Sequence, residues 1–322
     1  MVTEGRLYRL LESFLRSDEF GPEDLRPLLE LTTGHSGVHP FGVLSQDAAE
    51  DSWMSRFGQL KLFADIHGTL EVLAAGRKEK VNLSLEDLWL HYIPFCSWLL
   101  GKTEGRSERF LTGIVGPPGS GKTVLCELLR FIINRLVGTG DDSCAVLAMD
   151  GFHFRNDYLD RNWTVDAAGN QMPLRIFKGM PCSFDLDAFL LALKALPDRE
   201  AEMSLPVYDR SLHEPVADGL RVLRKHSIVL VEGNFLLDSE DGWAAVRPML
   251  DLTLFIETDD QSCKERLLKR HVTGGRNEEE GLQHFDRVDR PNFERVRKSA
   301  GCADLLLSMD WEGRIKSFRW CD

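Results

Sequence analysis

The sequence predicts an α/β chain: a doubly wound, mostly parallel sheet flanked by helices, with an additional helical region ahead of it. Two observations carry this. From Phe110 onward, short apolar runs alternate with segments of helical period. A glycine-rich turn also joins the first apolar run to the first amphipathic helix.

The predicted strands are Phe110–Val115, Ala145–Met149, Ser227–Val231, Leu252–Ile256 and Leu305–Met309. The predicted helices are Lys122–Leu136, Asp185–Leu196, Asp259–His271 and one running from Glu278 to Lys298. Thr258-Asp-Asp-Gln261 has the form of a capping box, and Gly274-Gly275 is a natural helix stop. The division expected is a helical N-terminal region over 1–108 and a phosphate-loop domain over 109–322. In the first part, Leu7, Leu10, Leu11, Phe14 and Leu15 recur at helical spacing, as do Leu60, Leu62, Phe63 and Ile66. A third helix is expected to hold Leu85, Leu88, Leu90, Tyr92 and Ile93. His35 and His39 sit in a turn-rich stretch without nearby acids, as solvated loop histidines do. Gly101–Arg109 is charged and reads as a flexible linker.

Composition excludes several classes. Of the 322 residues 43% are apolar and 28% charged, as in an ordinary soluble globular protein. The formal net charge is −12, and an acidic surface repels nucleic-acid phosphates and anionic lipid, so neither is expected as a broad partner. No run approaches the roughly 18 apolar residues of a membrane helix. The opening Met1-Val-Thr-Glu-Gly-Arg lacks a basic stretch followed by an apolar core, so no secretory signal is expected. The seven cysteines are dispersed, without a Cys-x-x-Cys pair. They read as reduced, mostly buried thiols of a cytoplasmic protein.

Gly116-Pro117-Pro118-Gly119-Ser120-Gly121-Lys122-Thr123 satisfies G-x-x-x-x-G-K-[ST], the phosphate-binding loop. Glycines let the backbone wrap an oxygen-rich anion with its N–H groups turned inward. The helix that follows presents its positive end. Lys122 is expected to reach the β and γ phosphates of ATP, and the Thr123 hydroxyl to hold Mg²⁺. The four fixed positions arise by chance about once per hundred chains of this size. The preceding apolar strand, and the buried face of Val124, Leu125, Leu128, Leu129, Ile132 and Ile133 behind, remove most of that chance.

The chain has no Asn/Thr-Lys-x-Asp guanine motif and no Leu-Ser-Gly-Gly signature. Its third strand ends in Glu232-Gly233 without the Asp-Glu pair of motor ATPases, and these absences favour a kinase. Asp150 closes the second strand, where strand ends converge on a ligand. It is placed to orient or deprotonate an attacking hydroxyl, or to help hold Mg²⁺. The competing reading is an Asp that only caps a loop.

Four further segments extend the pattern: Asp150-Gly-Phe-His-Phe-x-Asn156, Lys178-Gly-x-Pro181-x-Ser-Phe-Asp185, Pro206-Val-Tyr-Asp209-Arg210 and Val231-Glu-Gly-Asn-Phe-Leu-Leu237. In this order they resemble the uridine kinase/phosphoribulokinase superfamily. The nearest likeness is to its bacterial pantothenate-kinase-like branch, often called sugar or fructose-transport kinases. The likeness covers residues 110–322. It implies ATP-dependent phosphorylation of an alcohol on a small metabolite, without naming the metabolite. It further implies that Glu232 assists Mg²⁺. His153, Lys178, Tyr208, Asp209, Arg210 and His213 would meet the substrate. Arg266 and Arg270, one helical turn apart, would act as lid arginines over the transferring group. Exposed charged turns and a solvated helix face are the bland alternatives for these residues. Asp289-Arg-Pro-Asn292 resembles a family motif without an assigned role. Asn162–Leu174 reads as an insertion in the substrate segment, and this departs from the family pattern. A pairing of two copies is left open. Another class fits the same motifs: a regulator that hydrolyses ATP slowly and recognises a protein through residues 1–108.

Overall fold

The computed structural model describes residues 4–16, 28, 41, 50–66, 68–74, 77–138, 142–166, 168–310 and 312–321. His35 and His39 lie outside these residues. The chain opens with α1 (Glu4–Arg16) and α2 (Glu50–Lys61), followed by a hairpin of β1 (Gly68–Ala74) and β2 (Arg77–Leu83). That hairpin is an addition to the helical region the periodicity suggests. Arg77-Lys-Glu-Lys in β2 carries no apolar alternation, so the strand gives no signal of its own.

The third expected helix begins at Leu85, where the Ser84 side chain accepts from the Asp87 N–H. It widens into a π-helical turn over Leu88–Tyr92 and continues as α3 (Ile93–Thr103). Pro94 sits just behind that turn. A proline cannot donate to the carbonyl four residues back and its ring crowds it, so the helix widens ahead of it.

The central sheet is built from β3 (Phe110–Val115), β4 (Cys144–Ala148), β9 (Ile228–Gly233), β10 (Leu252–Glu257), β11 (Leu305–Met309) and β12 (Ile315–Trp320). Their order is β12-β11-β10-β3-β9-β4, and only β12 runs antiparallel to its neighbour. The five strands expected from sequence are therefore present and mutually parallel. The helices expected between them are α4 (Lys122–Val137), α6 (Leu186–Ala195) and α7 (Asp260–Thr273). A short α5 (Asn156–Arg161) precedes α6. The Glu278–Lys298 helix is divided into α8 (Glu278–His284), a π-helical turn over Phe285–Asp289, and α9 (Arg290–Lys298). Pro291 stands just behind that turn, so the same physics operates twice.

Side-chain alternation makes the sheet two-faced. Ile228, Leu230, Leu254, Ile256, Leu305 and Leu307 face one cluster, and Val229, Val231, Phe255 and Leu306 the other. The first cluster takes in α4 and the N-terminal residues Leu7, Leu11, Phe57, Phe63 and Trp89. The second takes in Phe189 and Leu193 of α6 and Val296 of α9. Helices thus cover both faces. Phe41, Phe95 and Phe318 meet with ring centroids 4.8–5.1 Å apart, which ties the N-terminal region to β12.

Some local expectations need correction. The N-cap of α7 is Asp259, whose side chain accepts from Ser262 N; Thr258 is not the cap. A capping box does form at Asn277 and Glu280. Gly101–Arg109 is not a loose linker. Arg106 pairs with Asp251 at 3.0 Å, and Arg109 is fully buried. Of the cysteines, Cys96, Cys126, Cys144 and Cys263 are buried, whereas Cys182 and Cys302 are exposed. No helix among the described residues is long and apolar enough to cross a membrane.

Arg109 donates to the carbonyls of Leu196, Asp198, Arg199, Ala201 and Leu223, gathering the end of α6 and the approach to β9 around one guanidinium. Removing it orphans several buried acceptors at once, each costing about 1–3 kcal/mol. Arg109→Ala should therefore lower the unfolding free energy in urea by about 3 kcal/mol or more. A loss under about 1 kcal/mol would show that water replaces the guanidinium.

Candidate active site

Strand register brings the site together. Val115 of β3 pairs with Gly233 of β9, and Ala148 of β4 pairs with Glu232. The three strands therefore end side by side. The loop after β3, Asp150 after β4 and Glu232 within β9 meet at one edge of the sheet. This is also the topological switch point, since the chain passes from β3 to β4 on one side and later reaches β10 on the other.

The loop from Gly116 to Thr123 turns through Gly119 (φ +82°) and Gly121 (φ +94°) into α4. Gly119 also admits close packing: a Cβ there would lie 2.7 Å from the Cys263 carbonyl oxygen on α7. Lys122 folds over its own loop, its Nζ donating to the Gly116 and Pro117 carbonyls at 2.9 and 3.0 Å. Burial lowers the Lys122 pKa from its ordinary value, against the charges of Glu232 and Asp150. Among the described residues Ser120 Oγ is buried without a hydrogen-bond partner, as expected of a loop whose natural acceptor is a ligand oxygen.

Thr123 Oγ1 donates to Glu232 Oε1 at 2.8 Å. Burial, then the charge of Asp150, push the Glu232 carboxyl up to about 7. A hydroxyl and a buried carboxylate at the foot of a phosphate loop form an all-oxygen donor set, which suits Mg²⁺. Asp150 behaves in the opposite sense. Burial raises its pKa, but His153, Arg210, Arg270 and Lys122 outweigh that and hold it below the ordinary value. Arg210 Nη2 lies 3.5 Å from Asp150 Oδ2. Gly151 lets β7 (Met203–Asp209) approach, for a Cβ there would lie 2.4 Å from the Pro206 carbonyl oxygen.

A cleft of about 570 Å³ opens from this edge, lined among others by Lys122, Asp150, His153, Lys178, Tyr208, Arg210, His213, Glu232 and Arg270. A second cavity of about 640 Å³ shares Thr123, Asp150, Tyr208, Arg210 and Glu232 with it and extends past Arg130 and Arg221. The two are adjoining lobes of one depression.

Three of the sequence segments meet at one ammonium. Lys178 Nζ donates to Asn156 Oδ1 at 2.6 Å and to the His213 carbonyl at 2.7 Å, and it lies over the Tyr208 ring at 5.1 Å. His213 is at the turn between β7 and β8 (Glu214–Val222). His153 Nδ1 is 2.8 Å from the Asp150 carbonyl, and its ring packs on Phe184 at 3.9 Å.

Not every expected residue faces the cleft. Asp209 Oδ1 accepts from Ser211 N, Ser211 Oγ and Leu212 N, so this carboxylate caps its own turn. It borders only the larger lobe. Arg266 Nη1 donates to the Gly119 carbonyl at 3.3 Å, buttressing the phosphate loop from behind, whereas Arg270 lines the cleft. Asp185 caps α6 through Ala188 N. Within the 162–174 stretch β5 (Trp163–Val165) and β6 (Gln171–Pro173) pair as a hairpin, and Asp166 accepts from Ala168 N and Asn170 N.

Asp289 and Asn292 acquire definite positions. Asp289 Oδ2 lies 2.6 Å from His271 Nε2, and Asn292 Nδ2 donates to the Gly179 carbonyl at 2.9 Å. The π-helical turn swings Asp289 inward to reach α7. His271, His284 and Asp289 bring ligand-type atoms within 4.8 Å of one another. Yet both His271 nitrogens are engaged, the second by Arg276 Nη1 at 2.8 Å. Burial, with Arg276, His271 and Arg270 alongside, lowers His284 to about 4 despite Asp289. This is a hydrogen-bonded strut among cations rather than a metal nest.

The cleft also holds Arg175, Arg276 and Arg287, which sequence reading missed. Arg276 follows Gly274-Gly275, and a helix stop carries no signal that the next loop turns back toward the cleft.

A phosphate loop on a mostly parallel sheet, with an acid beside it and a cationic cleft in front, defines a P-loop phosphotransferase architecture. No family model matches the chain. It is 31% identical over 205 residues to a Schizosaccharomyces pombe protein named "Putative uridine kinase C227.14", covering 62% of this chain and 83% of that one. It is 30% identical over 246 residues to the uncharacterised Escherichia coli K12 protein YggC, covering 76% and 97%. Among solved structures it is similar to a "putative fructose transport system kinase" of Silicibacter sp. TM1040, at 25% identity and TM-score 0.54, covering 64% of this chain and 93% of that one. The chain belongs to the uridine kinase/phosphoribulokinase/pantothenate kinase-like superfamily of P-loop kinases.

Since Lys122 is the cation nearest the loop's own carbonyls, Lys122→Ala should abolish tight MgATP binding in calorimetry while leaving the thermal midpoint near its original value. Retained affinity would take the loop out of the nucleotide site.

Proposed function

We propose that the chain transfers the γ-phosphoryl group of ATP to a hydroxyl of a small metabolite. The observation that carries this is the position of Asp150. It stands where the phosphate loop meets the cleft, ionised by its cationic surroundings and partly open to that cleft, with its side chain 39% exposed.

Each residue then has a physical task. The loop amides and Lys122 hold the triphosphate, and Thr123 and Glu232 would hold Mg²⁺, which neutralises phosphate charge when bound. Glu232 near pH 7 is easily ionised as a cation arrives, while Asp150 keeps its charge throughout. Asp150 accepts a hydrogen bond from the acceptor hydroxyl, aims it at the phosphorus and takes its proton. Phosphoryl transfer proceeds through a loose transition state, so aim and charge matter more than base strength. Arg270 faces the same cleft, where negative charge spreads over the moving group. Arg266 supports the loop it would act through. His153, Lys178, Tyr208, Arg210 and His213 form the acceptor wall, with Asp209 shaping the turn that carries Arg210. A concave cleft rich in polar donors favours a small hydroxyl-bearing acceptor over a protein.

Asp150→Asn keeps the shape and removes the charge. Acceptor-dependent ADP release should fall about 10²-fold or more, the scale for losing a positioned base. ATP affinity should stay within a few fold. Sugars, nucleosides, glycerate and pantothenate supply the acceptor screen. If ADP release is slow, insensitive to every acceptor and unchanged in Asp150→Asn, the chain is a nucleotide-dependent regulator instead.

A further inference from the structure

The structure assigns a second anion site within the cleft, on Lys178 and Arg276 beside the His213 turn, and we propose that it seats a phosphate or carboxylate already carried by the acceptor. The identity of the bound molecule as an acceptor rests on the kinase reading above; the anion site itself rests on the following observations.

The chain carries a formal net charge of −12, yet this cleft gathers Arg175, Lys178, Arg210, Arg270 and Arg276 in addition to the loop lysine. The acids facing them are nearly all engaged. Asp289 holds His271, Glu280 accepts from the Asn277 N–H in the capping box, and Glu232 accepts from Thr123. Asp150 sits against Arg210. Among the described residues no carboxylate forms an ion pair with Lys178 or Arg276. Arg175 has only a loose 3.9 Å approach to the exposed Asp160.

The two cations rest instead on neutral atoms. Lys178 donates to an amide oxygen and a backbone carbonyl, which occupies two of its three N–H donors. Arg276 donates to a His271 nitrogen, which is free to accept because the other nitrogen serves Asp289. Among the described residues its other guanidinium N–H donors have no acceptor. Lys178 is half-buried, and a cation there that rests on neutral partners is costly unless an anion completes it, while Arg276 stands exposed at the rim.

The turn between them shows the same crowding. A Cβ on Gly274, just ahead of Arg276, would lie 4.0 Å from the His213 ring, so the α7–α8 loop touches the β7–β8 turn. His213 holds a left-handed backbone conformation, φ +52°, at this contact. Such a conformation in a non-glycine residue persists only where the surroundings impose it, and it concentrates at ligand sites. After burial, the charges of Arg276, Lys178, Arg175 and Arg210 all act to lower the His213 pKa. Burial and Arg175 bring Lys178 down to about 8, against the charges of Glu214, Asp150 and Asp160. Like charges gathered around one neutral imidazole repel one another, and an arriving anion relieves that repulsion.

Matched acceptors test the proposal on the full chain with MgATP. Ribose is compared with ribose 5-phosphate, and glycerol with glycerate, by ADP release. The charged member of at least one pair should exceed its neutral partner by about tenfold or more in kcat/KM, the scale of one charge-assisted hydrogen bond. Which pair responds tells phosphate from carboxylate. Arg276→Gln, which keeps a donor for His271, should raise KM for that charged acceptor about tenfold and leave KM for ATP within about twofold. Inorganic phosphate is also titrated by calorimetry into protein saturated with Mg²⁺ and a non-hydrolysable ATP analogue, which already fills the γ position. Binding should be present in the wild type and weakened in Arg276→Gln and Lys178→Ala. Equal turnover of neutral and charged partners, a change in KM for ATP instead of the acceptor, or phosphate binding that is absent or indifferent to the variants overturns the anion site. Phosphate binding that the variants weaken, with no acceptor releasing ADP, supports the site and sinks the kinase reading.

Discussion

Glu232 is flanked on both sides by strands that stop within a residue of it: Ile114 of β3 pairs with it from one side and Ala148 of β4 from the other. Parallel pairing in this register is what places a loop, a base candidate and a metal-type carboxylate within one small volume. The strands have little freedom to slip. A shift by one residue would turn Val229 and Val231 toward the N-terminal helices and Ile228 and Leu230 toward α6, exchanging two differently shaped cores. Gly233 closes the arrangement, because a Cβ there would lie 2.9 Å from the Met149 side chain, one residue before Asp150. The burial that fixes the sheet thus also fixes the chemistry at its edge.

Around that rigid edge, the acceptor side is assembled from irregular pieces joined by polar contacts. Lys178 links the segment around Asn156 to the β7–β8 turn, and Asn292 holds the Gly179 carbonyl of the segment that carries Lys178. Asp289 ties α7 to the π-helical turn ahead of Pro291. Here the proline has a constructive consequence: the widened turn directs Asp289 toward His271, and His271 in turn meets Arg276. One backbone irregularity therefore positions a chain of groups that ends at a cation in the cleft. The Lys178 links lie near solvent, whereas His271, Asp289 and Asn292 are buried, so within this side the Lys178 end has the more freedom to adjust.

The N-terminal helices belong to the same architecture. Leu7, Leu11 and Phe63 pack in one cluster with Ile114, Leu230 and Leu254, covering a sheet face that a parallel sheet cannot leave exposed. Phe41 and Phe95 carry that cover across to Phe318 on β12.

By itself the sequence determined the parallel strands, the helices between them, the phosphate loop and the place of Asp150 and Glu232 at its edge. Continuous apolar runs and helical periodicity are local records of burial on two faces, and a glycine-rich loop between a strand and a helix is a local record of its ligand. The hairpins β1–β2, β5–β6 and β7–β8 left no such record, because a strand with one wet face or many charges lacks a continuous apolar run. Tertiary structure alone decided that Asp209 turns into its own loop, that Arg266 supports the loop while Arg270 lines the cleft, and that Arg175 and Arg276 line the same cleft as Lys178. Those outcomes depend on how distant loops pack against one another. Residue spacing along the chain carries information about the face of an element, and none about which other element that face will meet.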